Sequence, residues 1–392
     1  MNTLHGTPVS QASPQEGAEG FGHARLVFNV RTVGSPLTGV QRYVRELDLR
    51  LGAGAERVAP AGAAQGARGH LWEQCVLPLR CGDRLLFSPA NTGPLAVRRQ
   101  VVTIHDASTF DCPDAFSAAF GRWYRWLLPR LARRSLGIIT VSEFSRERIV
   151  ATMGAPREKV EVIYNGVTVA AQSPGADRRG QLRRSLGLAG RFLLFVGSRD
   201  ARKNVALLSR AFSSAGLRGW ELVLVGGGNG RLFSGGGRDC GHPGIRALGH
   251  VDDGVLDALY AMADGFVFPS LYEGFGLPPL EAMARGCPVL CSDAACLPEV
   301  CGPSLDRGGA PLYFSAASEG SVAEGLVRFA GLPREARLRM ADAGRRRAAL
   351  FTWDRCASQT RAALSRFSET GSRVPTGEAR RPVFGEVGEG AR

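Results

Sequence analysis

The stretch GFVFPSLYEGFGLPPLEAMARGCPVLCSD (265–293) decides the fold. It begins and ends with short runs rich in aromatic and aliphatic residues, GFVFPS (265–270) and CPVLCSD (287–293), which are typical of buried strands. The segment between them has a glycine-rich turn followed by the composition of a helix. A strand, a helix and a second strand in this order predict a βαβ unit with parallel strands.

The turn and helix of this unit contain two glutamates that lie eight positions apart, Glu273 and Glu281. Gly274 and Gly276 allow the backbone to turn and to present N–H groups. The two prolines that follow suit a first helical turn, so we predict a helix whose positive end faces Glu273. Carboxylates accept hydrogen bonds from sugar and ribose hydroxyls, so a phosphate at this end would lie between two such groups. A capping arrangement with a glutamate on the helix face is the alternative.

The same alternation of strand and helix continues on both sides of this unit. We predict further strands at 25–30, 84–89, 100–105, 137–142 and 160–167 in the first half, and at 192–197, 221–228 and 244–251 in the second. Two such series predict an α/β protein with two Rossmann-like domains and a cleft between them. The expected boundaries are a tail at 1–22, a domain at 23–170, a linker at 171–190, a domain at 191–351, a helix at 352–369 and a tail at 370–392. The last helix could pack on either domain.

Composition limits the class of protein. The chain has 392 residues, of which 44% are hydrophobic, and it has no apolar run near the roughly 18 residues that a membrane span needs. Its first residues lack the features of a secretory signal, so we expect a cytoplasmic protein with reduced cysteines. The cysteines at 287, 291, 296 and 301 are spaced too widely for a typical zinc site, and we predict buried thiols and no metal.

The net charge of +13 favours acidic partners. Nearly all the basic residues are arginines, and Lys159 and Lys203 are the only lysines. Lys203 follows Arg202 in GSRDARKN (197–204), immediately before a predicted helix. Two cations at a helix start indicate an anion site, although a solvated helix start is the alternative. The arginines are dispersed and no nucleic-acid-binding motif is present, so we expect no nucleic-acid partner.

Unusual residues follow four of the predicted strands. VVTI runs into His105 and Asp106, FLLFV into GSRDARKN, LVLV into GGGNG (226–230), and GFVFPS into LYEGFG (271–276). In open α/β sheets, ligands bind beyond the carboxyl ends of the strands. We therefore predict one site between the domains, although a lone His-Asp pair or a glycine-rich turn can also be purely structural.

These motifs resemble a known family. EGFGLPPLEAMARGCPVLCSD, with LPEV after it and VGSRDARKN upstream, is similar to the retaining GT-B glycosyltransferases of family 4. In the first half, TGVQRYVREL, VVTIHDAS, IITVSEFSRERI and VIYNGV carry the same resemblance, which covers about residues 25–368. The bacterial mannosyl- and rhamnosyltransferase-like members look most similar. The resemblance implies an N-terminal acceptor domain and a C-terminal domain for a nucleoside diphosphate sugar.

The resemblance also implies residue roles. The catalytic set would be His105, Arg202, Lys203 and Glu273, with Asp106 on the acceptor side. The donor-binding set would be Gly39, Ser198, Gly226, Val251, Gly274, Phe275, Gly276, Leu277 and Glu281. Ser198 stands where many members have arginine. No Asp-x-Asp motif asks for a divalent ion, so the resemblance implies a metal-independent enzyme with no cofactor besides its donor substrate.

The implied reaction moves a hexose from the donor to a hydroxyl of a glycan or lipid-linked acceptor, with retention, in cell-surface polysaccharide or glycolipid synthesis. A nucleotide-sugar 2-epimerase of the same fold and a non-catalytic basic nucleotide-binding protein are the alternatives. Residues 116–135 interleave aromatic residues and leucines, including Leu127 and Leu131, with five arginines. This pattern indicates either a core helix with solvated arginines or a helix that docks on an anionic membrane.

Overall fold

A computed structural model describes residues 26–34, 38–62, 66–168, 175–198, 200–227 and 244–372. Within these ranges, strands form two six-stranded sheets. The first sheet contains β1 (Leu26–Asn29), β2 (Glu56–Val58), β3 (Leu85–Ser88), β4 (Gln100–Thr103), β5 (Gly137–Thr140) and β6 (Val160–Val162). The second contains β7 (Arg191–Val196), β8 (Trp220–Val225), β9 (Ile245–Gly249), β10 (Gly265–Phe268), β11 (Val289–Ser292) and β12 (Leu312–Phe314). The predicted tail at 1–22 lies outside the described residues.

Helices connect and cover the strands. Between the strands of the first sheet lie α1 (Gly39–Leu51), α2 (Gly66–Cys75), α3 (Leu77–Cys81), α4 (Ser108–Asp111), α5 (Ala118–Arg134) and α6 (Glu143–Met153). After them come α7 (Ala176–Ser185), α8 (Val205–Ser214), α9 (Asp253–Met262), α10 (Leu277–Ala284), α11 (Leu297–Cys301), α12 (Glu319–Ala330), α13 (Arg334–Ala348) and α14 (Trp353–Ser372). Helix α7 is the short helix expected at the end of the polar linker.

Both sheets are parallel, as the βαβ pattern predicts. The first has the order β2-β1-β3-β4-β5-β6 and the second β12-β11-β10-β7-β8-β9. The second is the Rossmann order, whereas the first begins like a flavodoxin sheet. In the second sheet the strand order reverses between β7 and β10, which places the loops that follow these two strands beside each other. The prediction of an α/β protein with two Rossmann-like domains is confirmed.

The sequence prediction missed β2 and β12, which are outer strands of three residues each. In β2 the first two residues are exposed and charged, and only Val58 is buried. An edge strand contacts one neighbour only, so it needs no long apolar run, and this removes the signal on which the prediction depended.

The last helix, α14, packs on the N-terminal domain. Its residues Trp353, Ala357 and Leu364 share a buried cluster with Phe28 of β1 and Tyr43 of α1. The chain therefore returns to its first domain after completing the second. The helix continues to Ser372, so the predicted boundary of the C-terminal tail at 370 is wrong by three residues; residues 373–392 lie outside the described part.

The four closely spaced cysteines are buried in the core of the second domain. Burial raises the pKa of the Cys287, Cys291 and Cys296 thiols, which keeps them protonated. Among the described residues, no group of three or more histidine, cysteine or acidic side chains could hold a metal ion. In the same part of the chain, no helix has the length and hydropathy needed to cross a membrane.

Candidate active site

The predicted cation Lys203 and the predicted carboxylate Glu273 form an ion pair. Lys203 follows β7 and Glu273 follows β10, so the reversal of strand order between these strands brings them together. The Lys203 ammonium donates to Oε1 of Glu273, and Ser270 Oγ donates to the same oxygen at 2.6 Å. The two side chains are 14% and 12% exposed, so solvent screens their charges only partly.

Arg202 is also paired, with an acidic residue that the sequence prediction did not use. Its Nε and Nη2 donate to Oδ2 of Asp200 at 3.0 and 2.6 Å. Burial opposes ionisation of Asp200, but the hydrogen bonds and charge of Arg202 lower the pKa of this carboxyl below its ordinary value. The Arg202 guanidinium also lies 5.2 Å from the ring centre of Phe116 in the N-terminal domain. The two cations are thus neutralised by two neighbouring carboxylates, Asp200 and Glu273.

The glycines of the EGFG turn have distinct structural roles. Gly276 has a φ of +89° and caps α10, a conformation that favours glycine. A side chain on Gly274 would have its Cβ 2.7 Å from the main-chain oxygen of His105 and 3.0 Å from Cβ of Asp106. Phe275 turns its ring away into a buried cluster, with Tyr164 and Phe351 at 6.2 and 5.8 Å between ring centres. The turn therefore lies directly against the His-Asp pair of the other domain.

His105 is buried and fixed by its surroundings. Its main-chain N–H donates to Asn91 Oδ1 at 2.8 Å, and its Nε2 lies 3.0 Å from the carbonyl oxygen of Pro89. A carbonyl can only accept, so Nε2 carries the hydrogen and Nδ1 is the free acceptor of a neutral ring. Burial lowers the pKa of His105, which keeps the ring neutral. Asp106 accepts from the Ser108 N–H, the first of the short helix α4, at 2.8 Å.

Glu281 is held by residues from two domains. Tyr260 of α9 donates to its Oε2 at 3.1 Å, and Arg42 of α1 donates to its Oε1. Burial raises the pKa of Glu281, whereas the charges of Arg42 and Arg285 and the Tyr260 hydrogen bond act in the opposite direction. A cavity of about 330 Å³ lies beside this carboxylate, between α1 on one side and α9 and α10 on the other.

The other predicted donor-site residues fall around the same strand ends. Gly226 follows β8 and has a φ of +129°. A Cβ there would lie 1.9 Å from the main-chain oxygen of Gly197, which follows β7, so only glycine fits. Ser198 is exposed beside it, and Val251 lies half-buried two residues past β9. Gly39 is the first residue of α1. A Cβ on it would lie 3.6 Å from Leu277 of α10.

Further contacts join the two domains around the EGFG turn. Ser142 and Ser145 of the N-terminal domain donate to the Gly274 carbonyl at 2.7 and 3.2 Å. In return, Glu299 of the LPEV motif accepts from two N–H groups at the start of α6, at 2.7 and 3.1 Å. Tyr272 donates to Asp111 at 2.9 Å. The sequence prediction missed these residues because nothing in a single sequence shows which loops of separate domains meet.

Two protein-family models match the chain. One, described as Glycosyl transferases group 1, matches residues 190–330, and the other, described as Glycosyltransferase Family 4, matches residues 86–171. The first covers the second sheet through α12, with the Lys203–Glu273 pair, and the second includes His105 and the Ser142 contact. The two matches therefore lie on the two sides of the candidate site.

Two similar proteins of known name are mannosyltransferases. The chain is 31% identical over 294 residues to O-antigen chain mannosyltransferase B of Escherichia coli, covering 71% of this chain and 73% of that protein. It is 32% identical over 280 residues to MMP alpha-(1->4)-mannosyltransferase of Mycolicibacterium hassiacum, covering 66% of this chain and 63% of that protein.

Solved structures with a similar fold are GT-B glycosyltransferases. Anabaena HepE, solved with UDP and glucose, has a TM-score of 0.69 at 18% identity and covers 88% of this chain and 100% of its own. WaaG, a glycosyltransferase involved in lipopolysaccharide biosynthesis, has a TM-score of 0.67 at 18% identity and covers 87% of this chain and 99% of its own. The chain belongs to glycosyltransferase family 4 and has the GT-B fold.

Proposed function

We propose that the protein transfers a mannose- or rhamnose-like hexose from a nucleoside diphosphate sugar to a hydroxyl of a glycan or lipid-linked acceptor, with retention of the anomeric configuration. The reaction would serve the synthesis of a cell-surface polysaccharide or glycolipid. The names of the two mannosyltransferase relatives support this choice of sugar. UDP in the HepE structure supports a nucleotide-linked donor.

The observation that carries the proposal is the Lys203–Glu273 pair at the crossover of the donor domain, facing His105 across the cleft. An ammonium group binds phosphate, and a carboxylate binds sugar hydroxyls. In the ligand-free protein each neutralises the other. A sugar diphosphate carries a partner for both groups, so its binding can replace one internal ion pair with two bonds to the ligand.

This exchange assigns chemistry to each group. The bond between the anomeric carbon and the β-phosphate oxygen breaks, and the acceptor oxygen bonds to that carbon on the same face. The acceptor proton passes to the leaving diphosphate oxygen. Lys203, Arg202 and the N-terminal end of α10 stabilise the charge that develops on the diphosphate. We propose that these groups, without a divalent ion or another cofactor, supply the positive charge that the reaction needs.

The roles of the remaining residues follow from their positions. His105, with a neutral ring, and Asp106 border the reacting sugar on the acceptor side. The backbone of Gly274, Phe275 and Gly276 faces the sugar and phosphates because the Phe275 ring is packed elsewhere.

The proposal is tested by incubating the protein with mannose, rhamnose and glucose donors and with oligosaccharide acceptors, with and without EDTA. We expect one donor to be consumed only when acceptor is present, at an EDTA-independent rate. NMR of the product should show the anomeric configuration of the donor. An inverted product would contradict retention, and conversion of the donor sugar without acceptor would indicate an epimerase.

A second part of the proposal concerns the solvent-exposed side of α5. Its exposed residues include Phe120, Arg122, Trp126, Arg130, Arg133 and Arg134. Arg130 lies 4.6 Å from the ring centre of Trp126. Leu127 and Leu131, which belong to the membrane-docking pattern in the sequence, are fully buried and cannot contact lipid. We propose that the exposed residues of α5 bind an anionic membrane surface peripherally.

Cosedimentation with vesicles tests this part. We expect binding to phosphatidylglycerol vesicles, weaker binding in high salt, and little binding to phosphatidylcholine vesicles. A variant with Arg130→Gln and Arg134→Gln should bind less, whereas substitution of two exposed arginines of α13, Arg334→Gln and Arg339→Gln, should not change binding. Equal binding to both lipids would contradict the proposal.

A further inference from the structure

Arg42 of the N-terminal domain contacts Glu281 of the C-terminal domain. It lies in the first turns of α1, and its side chain crosses the cleft to donate to Glu281 on α10. A Cβ on Gly39 would lie 3.6 Å from the Leu277 side chain, so the starts of α1 and α10 face each other. Arg42 is 24% exposed, so it is not a solvated surface arginine.

The Glu281 carboxylate keeps unused acceptor capacity. An ionised carboxylate has about four positions at which it can accept a hydrogen bond. Arg42 occupies one on Oε1 and Tyr260 one on Oε2. Both oxygens can therefore accept once more, and the cavity beside them is also lined by Arg42. Two neighbouring hydroxyls, such as those of a ribose, match two oxygens that each have a free position.

The charges around this carboxylate come from α1, α9 and the end of α10. Arg42 on α1 bonds to it directly, and Arg285 lies near it, immediately after the last residue of α10. However, Arg285 is already bonded to Asp257 of α9, at 2.8 Å from its Nε, and Asp257 itself opposes ionisation of Glu281. Tyr260 is neutral. Arg42 is thus the cation whose bond to Glu281 directly offsets the burial of its charge.

We propose that Arg42 is a positioning residue of the donor site. From the N-terminal domain it orients the carboxylate of Glu281 and stabilises its ionised form, so that Glu281 can accept from the ribose hydroxyls of the donor. Recognition of the ribose, within the donor domain, therefore depends on a side chain of the acceptor domain. The inference rests on the proposed function, because it takes a nucleoside diphosphate as the ligand.

Calorimetric titration of the full-length protein with UDP, GDP, ADP, CDP and dTDP tests the inference. Each nucleotide is compared with its analogue that lacks both ribose hydroxyls, near pH 6, 7 and 8.5. In the unmodified protein, loss of the hydroxyls should weaken binding of the preferred nucleotide by about tenfold or more. Arg42→Gln should weaken binding of the intact nucleotide by roughly tenfold near pH 6, and should leave binding of the analogue unchanged.

The pH dependence separates positioning from folding. Removal of the cation raises the pKa of Glu281 further, so more of the carboxyl is protonated at low pH and it ionises again as the pH rises. The Arg42→Gln defect should therefore shrink towards pH 8.5. Arg50→Gln is the matched control, since Arg50 lies on the same helix, is 29% exposed and binds Glu46 and Asp354. It should bind both ligands as the unmodified protein does.

Two results would overturn the inference alone: Arg42→Gln binding indistinguishable from the unmodified protein, or an equal loss for nucleotide and analogue at every pH. An unmodified protein that binds none of UDP, GDP, ADP, CDP and dTDP would overturn the proposed function, and this inference with it.

Discussion

Glu273 and Glu281 are held in different ways. Glu273 is bound by Lys203 and Ser270, which belong to its own domain. Glu281 is bound by Tyr260 of its own domain and by Arg42 of the other. The first arrangement needs only the strand crossover of the second sheet, whereas the second also needs the domains to be apposed. In the proposed donor site, the Lys203–Glu273 pair can therefore form within one domain, whereas the placement of Glu281 depends on both.

The largest effect should come from the pair within the donor domain. Lys203→Ala should lower kcat by about 10²–10³-fold, because it removes a cation that stabilises the leaving diphosphate. Lys159→Ala is the matched control. Lys159 donates to the carbonyl oxygens of Arg133 and Ser135 at 3.3 Å, away from the cleft, and its loss should leave kcat unchanged. Steady-state kinetics of both variants checks this prediction. Equal kcat values for the two variants would show that Lys203 does not take part in the reaction.

The next effect concerns the contact between the EGFG turn and the His-Asp pair. Gly274→Ala should lower kcat by about a hundredfold, since the methyl group would push the turn away from His105 and shift the reacting groups. Gly175→Ala controls for the loss of a glycine, because a Cβ there meets nothing within 4 Å and the residue lies at the start of α7, outside the candidate site. Thermal unfolding should show both proteins folded. An active Gly274→Ala enzyme would mean that the two domains do not meet here during turnover.

A smaller effect is expected at the ribose end. Tyr260→Phe removes one hydrogen bond to the Glu281 carboxylate while it keeps the buried ring. KM for the donor should rise by roughly tenfold with little change in kcat. A fall in kcat at constant KM would instead connect Glu281 with the chemical step and contradict the assignment of separate roles to the two glutamates.

The smallest effect should come from Asp253, the outer partner of Arg42. Its carboxylate lies 3.9 Å from Arg42 Nη2 and is 80% exposed, so the pair contributes little. Asp253→Asn should change donor affinity by less than about twofold. A larger loss would show that Arg42 is positioned by its exposed partner as well as by Glu281.

Much of the fold could be predicted from the sequence because its signals are local. A buried parallel strand is a short apolar run, and GFVFPS and CPVLCSD become β10 and β11 near the predicted positions. The failures have physical causes. The outer strands β2 and β12 are only three residues long and so give no long apolar run, and the domain on which α14 packs depends on the fit of Trp353 to a surface formed by distant residues.

The sequence predicted the site residues that lie at the ends of strands, but it did not predict which side chains bond to each other. His105, Lys203 and Glu273 lie at the carboxyl ends of strands, and the Rossmann order brings the last two together. Asp200 stands in the quoted motif, yet its bond to Arg202 depends on the conformation of the loop. Arg42 lies 239 positions from Glu281 in the sequence, and no local sequence pattern indicates that contact.

The central claim is that donor binding breaks the Lys203–Glu273 pair and gives each group a partner on the ligand. A crystal structure of the protein with its nucleoside diphosphate sugar tests this directly. The account predicts the diphosphate at the N-terminal end of α10 with the Lys203 ammonium on a phosphate oxygen and the Glu273 carboxylate on sugar hydroxyls. A bound donor with the ion pair intact, or with the diphosphate outside this cleft, would contradict it.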